Sequence, residues 1–137
     1  MSWLVDTNVL SELRKGARAD AGVRRWFEDA DEAELFTSVL VVGEVRRGLE
    51  SIRRRDARSA KTLEQWLLRL TESFADRVLP IDAAVADRWG ALNVPDPLPT
   101  VDGLLAATAL VHQLTVVTRN VRDVQRTGVA CLDPFER

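Results

Sequence analysis

The chain has no tyrosine, a single histidine (His112), a single cysteine (Cys131) and a single methionine. One cysteine rules out an internal disulfide and a cysteine-based zinc site. One histidine excludes Ser-His-Asp and Cys-His catalysis and any multi-histidine metal site. Lysine is nearly absent too: of 19 basic residues only Lys15 and Lys61 are lysines, which leaves 17 arginines. No apolar run approaches the roughly 18 residues of a membrane span. Nothing at the N-terminus reads as a signal peptide, so a cytoplasmic protein with no membrane association is expected. The acid–base inventory that remains is carboxylates and arginine.

The 137 residues, 46% of them hydrophobic and 29% charged, suit one globular domain spanning 1–137. The net charge of −2 hides segregation. Glu28, Asp29, Asp31, Glu32 and Glu34 cluster in one stretch. Arg46, Arg47, Arg53, Arg54, Arg55, Arg58 and Lys61 cluster in another, against only Glu50 and Asp56. Arginine grips phosphate through a planar bidentate fork. The same run also reads as a solvated helix surface.

Short apolar segments alternate with helical periodicity. Residues 2–5 read as a buried strand. Thr7 and Asn8 offer an N-cap for a helix that Gly16 stops. Asp20 caps a second helix carrying Val23, Trp26 and Phe27 on one face. Residues 34–38 read as a strand, followed by a helix through Glu44 to about Leu49. A long helix is expected from about Asp56 to Glu72, with Leu63, Trp66, Leu67 and Leu70 aligned. Residues 77–81 form a short strand, and Asp82 caps a helix with Val85, Trp89 and Leu92. Pro95, Pro97 and Pro99 stiffen a loop before a helix from Thr100 to about Gln113. Residues 115–118 are a strand, and 128–132 a last edge strand. The alternation predicts an α/β fold with a short central parallel sheet flanked by helices on both faces. Ligands in such sheets bind at the carboxyl ends of the strands.

Three acidic residues stand out. Asp6 closes the run Trp3-Leu4-Val5, Glu44 lies inside Val39-Leu40-Val41-Val42-Gly43-Glu44-Val45, and Asp102 opens an Ala-rich helix. A carboxylate on an apolar face is costly unless compensated. Carboxylates that converge repel one another unless a cation sits among them, and oxygen-only ligands select hard ions such as Mg²⁺ or Mn²⁺. Each residue also has a plain reading: Asp6 as a helix cap, Glu44 as a surface residue at the edge of an apolar stripe, Asp102 as a partner of the helix dipole. Asn120 and Asp123 likewise fit turn chemistry. Gly48, one turn after Glu44, leaves room beside that carboxylate.

In order along the chain stand Asp-Thr-Asn after the first strand, a Glu in the helix after the second, Pro-x-x-Asp-Gly before an Ala-rich helix, and Thr-Arg-Asn-x-x-Asp after the next strand. This order resembles the PIN-domain ribonucleases, specifically the VapC toxins of toxin–antitoxin pairs, from Leu4 to Phe135. Asp6, Glu44 and Asp102 match the family's three acidic positions. At the fourth position an amide, Asn120, stands where some members carry an acid, and Asp123 follows close by. The resemblance implies a single PIN-like domain and Mg²⁺- or Mn²⁺-dependent endoribonuclease activity. In that reading Asp6 and Asp102 ligate metal directly, and Glu44 ligates or holds a water. Thr7, Asn8 and Thr118 orient the carboxylates, and Asn120 or Asp123 completes the set. Arg46, Arg47, Arg53, Arg54 and Arg55 supply a basic rim for RNA. The expected partners are an RNA substrate, a cognate antitoxin protein and a second copy of the chain in a homodimer. Two other readings compete: a PIN-like RNA-binding module with weak or no catalysis, and a phosphotransfer receiver-type domain. The second lacks the strand-end lysine that such domains use.

Overall fold

The strands are only two to four residues long, so helices on both faces must supply most of the apolar burial. In the computed structural model, which describes residues 1–136, the chain runs β1 (Trp3–Val5), α1 (Thr7–Leu13), α2 (Ala21–Asp29), β2 (Leu35–Ser38), α3 (Val39–Arg53), α4 (Ala57–Phe74), β3 (Val78–Leu79), α5 (Ala83–Leu92), α6 (Thr100–His112), β4 (Thr115–Val117), α7 (Val121–Gln125) and β5 (Cys131–Leu132). The sheet order is β3-β2-β1-β4-β5, with every pairing parallel. Leu4 stands opposite Phe36 on one side and Val116 on the other. The chain winds outward from β1 through β2 to β3, then crosses to β4 and β5. The order therefore reverses between β1 and β4, and in open parallel sheets that crevice is where ligands bind.

Leu4, Val5, Leu35, Val116 and Val117 of the sheet pack with Val9, Leu10, Val23, Val41, Leu105, Ala106 and Ala109 of the surrounding helices. Helix α6 is buried nearly all round, as its run of small apolar residues requires. Asp102 is the one carboxylate in that helix. A second cluster of Val45, Leu49 and Leu67 joins α3 to α4.

Several boundaries differ from the sequence reading. Helix α3 continues past Leu49 to Arg53. Ion pairs of Glu50 with Arg46 and Arg53, one turn away on either side, support that last turn. Helix α4 then starts behind Asp56, whose side chain accepts from the backbone N–H of Ser59. The strand expected at 77–81 narrows to Val78–Leu79, ahead of Pro80, which has no N–H to extend a ladder. Pro99, not Thr100, occupies the N-cap of α6, so Asp102 sits in the first turn of the helix. Gly22 is dictated by the C-terminal segment: a Cβ there would stand 2.4 Å from the carbonyl oxygen of Pro134.

Candidate active site

Asp6 sits where β1 ends. Its backbone N–H still bonds the carbonyl of Val117, at 3.0 Å, so the residue is pinned between β1 and β4. Thr7 and Asn8 do not cap α1, as the sequence suggested. Asp6 does so itself, accepting from the Thr7 N–H at 2.7 Å through Oδ1. The two readings of Asp6 are compatible, because capping occupies Oδ1 and leaves Oδ2 to other partners. That oxygen accepts from the buried Thr118 hydroxyl at 2.8 Å. Asn8 ties the arrangement together. Its side-chain N–H₂ donates to Thr118 Oγ1 at 3.2 Å, and its Oδ1 accepts from the Arg119 N–H at 3.1 Å. Asn120 closes the turn by donating its backbone N–H to Thr118 Oγ1.

Glu44 is held from across the crevice. Thr7 Oγ1 donates to Glu44 Oε1 at 2.6 Å. Val41, Val45 and Leu49 of α3 are buried, whereas Glu44 and Gly48 are exposed. Glu44 therefore stands at the border of the apolar stripe and looks into open space. Asp102 reaches the same space from the first turn of α6. Gly103 beside it lets the Trp89 indole and Leu98 approach within 3.2 Å of where a Cβ would be, which locks that end of α6 in place. Sequence reasoning missed this role. A glycine inside an otherwise strong helix former was the available signal.

A cavity of about 520 Å³ is lined by Asp6, Thr7, Asn8, Glu44, Asp102 and Asn120, with Pro99 to Val101 on one wall. All three sequence-selected acids are in it. Asp123 is not among the lining residues, yet it is the strongest of the charges acting on Asp102. Burial pushes the Asp102 carboxyl above its ordinary pKa, and the Asp123, Asp6 and Glu44 carboxylates push it further. Burial likewise raises Asp6. The Thr118 hydroxyl and the Thr7 N–H pull it down, and Glu44 adds a smaller upward push. Burial is the largest cause in both cases and neighbouring carboxylates add to it, so a bound cation would relieve both groups.

The donor set is all oxygen, as hard divalent ions require. Among the described residues, however, no three acidic, histidine or cysteine side chains stand close enough to close on one ion. The convergence on a single point expected from sequence is replaced by carboxylates spread around an open mouth. This suits Mg²⁺, which characteristically keeps several waters and takes only one or two protein carboxylates alongside substrate phosphate.

The basic run divides in two. Arg46 pairs with Glu50 and Glu64, and Arg53 pairs with the same two residues, so both belong to the α3–α4 junction. Arg47 lies one turn from Glu44, beside Gly48 and Ser51. Arg54 and Arg55 are exposed at the α3–α4 turn.

The model of the PIN domain matches residues 3–129. The chain is 31% identical to "VapC ribonuclease Y4jK" of Sinorhizobium fredii, covering 97% of each protein. It is 30% identical to "Toxin FitB" of Neisseria gonorrhoeae, covering 96% of this chain and 97% of that one. The crystal structure of FitAcB from Neisseria gonorrhoeae superposes with a TM-score of 0.87 at 28% identity, covering 96% of this chain and 97% of that chain. The five-stranded parallel fold agrees with that kinship and leaves the receiver-type reading without support: this chain belongs to the PIN domain family.

Proposed function

We propose that the protein is a metal-dependent endoribonuclease and the toxin of a toxin–antitoxin pair. The observation that carries this reading is the set of mutually repelling carboxylates, Asp6, Glu44 and Asp102, around one oxygen-lined cavity at the sheet's switch point. The ribonuclease and toxin names of the relatives support it. Mg²⁺ or Mn²⁺, when bound, supplies Lewis-acid polarisation of the phosphate and charge neutralisation at the leaving oxygen. Asp6 Oδ2 and Asp102 are the residues that would hold the ion. Thr118 and Asn8 orient Asp6, and Asn120 offers a neutral amide oxygen in the same wall. Glu44 has one oxygen engaged by Thr7, which leaves Oε2 to accept a proton from the attacking water. Water attack with departure of the 3′ oxygen leaves a 5′-phosphate and needs no histidine to activate a 2′-hydroxyl.

A protein that cuts RNA must be kept silent in its own cell, which calls for a cognate antitoxin. One of the similar structures, at 26% identity and TM-score 0.87, is FitAB bound to a DNA fragment. A second feature of this chain fits such a partner. Leu10, Leu13, Phe27, Trp66, Leu70 and Phe74 line an apolar groove of about 210 Å³ between α1, α2 and α4. Trp26 is packed edge-on against Trp3, but Phe27 remains 42% exposed. An apolar side chain of an amphipathic antitoxin helix would anchor in this groove, and an antitoxin Arg or Lys entering the acidic cavity would compete with the ion. Leu68 and Val39, 55% and 41% exposed, are apolar surface for a homodimer contact. No helix among the described residues is long and apolar enough to cross a membrane.

The deciding experiment incubates the purified chain with RNA and Mn²⁺, with and without EDTA, beside Asp102→Asn. Chelator-sensitive cleavage lost in the variant supports the reading. RNA binding without cleavage under all conditions would make the chain a binding module instead.

A further inference from the structure

The cavity around the acids does not end at Glu44. A shallower hollow of about 230 Å³ continues along α3, lined by Glu44, Arg47, Gly48 and Ser51. These positions fall at i, i+3, i+4 and i+7, so they share one helix face. Glu44 belongs to both hollows and joins them. At about 1.5 Å rise per residue, the face extends roughly 10 Å from Glu44 to Ser51.

Two features of this face are unexplained by the fold. Arg46 and Arg53 are each neutralised by Glu50 and Glu64, but Arg47 is exposed and makes no ion pair among the described residues. Gly48 is exposed in a helix interior, where glycine costs helix stability relative to alanine. Its missing Cβ relieves no contact within the molecule, because one built there meets nothing within 4 Å. A bare helix surface therefore lies beside an unpaired guanidinium and runs into a carboxylate-lined cavity. Acidic walls repel phosphate, so a polyanion can settle there only if a fixed cation holds it nearby.

We propose that this face is the track of the RNA strand on the Glu44 side of the site. Arg47 grips the phosphate next to the one being cut, and Gly48 lets the backbone lie against the helix. Ser51 donates its hydroxyl to a further phosphate or sugar oxygen. The inference rests on the ribonuclease reading and adds a positioning residue and a path for the strand to it.

The test uses a fluorescein-labelled single-stranded RNA of mixed sequence. Binding is measured in the Asp102→Asn background, cleavage in the otherwise unaltered chain, and Mn²⁺ affinity by calorimetry without RNA. Arg47→Gln is expected to weaken RNA binding about tenfold and to reduce the log–log salt slope by about 0.7, the value for one single-strand phosphate contact. KM rises while Mn²⁺ affinity stays unchanged. Arg47→Lys recovers part of the loss, since it keeps the charge without the fork. Gly48→Ala is expected to raise the melting temperature while weakening RNA binding, a combination that a structural role for Gly48 would reverse. If Arg47→Gln and Gly48→Ala bind RNA with the affinity and salt slope of the parent, the track is wrong while the ribonuclease reading stands. If the parent neither binds nor cuts this RNA with Mn²⁺ present, both fall together.

Discussion

Thr118→Val is the sharpest probe of how the site is held. Thr118 is fully buried, and valine nearly matches its shape, so little packing changes. The hydroxyl donates to Asp6 Oδ2 at 2.8 Å and accepts from Asn8 Nδ2 at 3.2 Å and the Asn120 N–H at 3.0 Å. A hydrogen bond to a charged acceptor is worth about 1.5–3 kcal/mol. Burial already raises the Asp6 pKa, and this bond is the largest influence opposing it. Without the hydroxyl the carboxyl holds its proton more tightly, and a proton competes with a cation for the same oxygen. At about 1.4 kcal/mol per tenfold, Mn²⁺ affinity should drop roughly tenfold to a hundredfold. The deficit should be larger at mildly acidic pH, where protonation competes harder. Calorimetric Mn²⁺ titration without RNA measures it, with RNA cleavage as the second readout. Thr118→Ser keeps the donor and should bind as the parent does. A valine variant with parental Mn²⁺ affinity at every pH would refute the argument, as would a serine variant as weak as valine.

Asp102→Asn should abolish cleavage and raise the melting temperature of the metal-free protein, because it removes a half-buried charge repelled by Asp123, Asp6 and Glu44. The pH dependence has a definite sign. Asp6 and Asp102 bind protons more tightly folded than unfolded, so their contribution to stability falls as pH rises above the unfolded value of about 3.8 and levels off beyond the folded pKa. The thermal advantage of Asp102→Asn should therefore grow between about pH 4 and neutrality; an advantage independent of pH would contradict this. Gly22→Ala forces a Cβ into the Pro134 carbonyl and should destabilise the fold by about 1–3 kcal/mol in urea unfolding, with Mn²⁺ affinity unchanged. Among the neighbouring arginines, Arg54→Gln with Arg55→Gln should flatten the salt dependence of RNA binding, whereas Arg53→Gln should act mainly on thermal stability by breaking its pairs with Glu50 and Glu64. Equal salt slopes for the two sets would mean that the exposed arginines make no phosphate contact.

The sheet was legible because its signals are local. Short apolar runs followed by Asp-Thr-Asn, Thr-Ser or Thr-Arg-Asn mark strand ends, and the alternation with helices dictates parallel pairing. Asp6, Glu44 and Asp102 were legible because a carboxylate beside an apolar run is locally conspicuous. The double duty of Asp6 was hidden, since sequence offers one role per residue, whereas a carboxylate has two oxygens facing different partners. The end of α3 was misplaced for a related reason. The pairs that Glu50 makes with Arg46 and Arg53 sustain a turn beyond Leu49, and which partners a charged residue finds is not written in the local pattern.

The arginine run shows where local reading must fail. Seven basic residues within 46–61 look like one continuous surface, and any stretch of it could face phosphate. What divides them is Glu64, which lies 18 residues beyond Arg46 and 11 beyond Arg53 yet pairs with both. That pairing exists only because Val45 and Leu49 pack on Leu67 and set α3 against α4. The apolar contact thus decides the electrostatics: it turns Arg46 and Arg53 toward α4 and leaves Arg47, one position on, turned toward Glu44 and the site. On a helix a single step is about 100°, enough to separate a structural arginine from one that can meet a substrate.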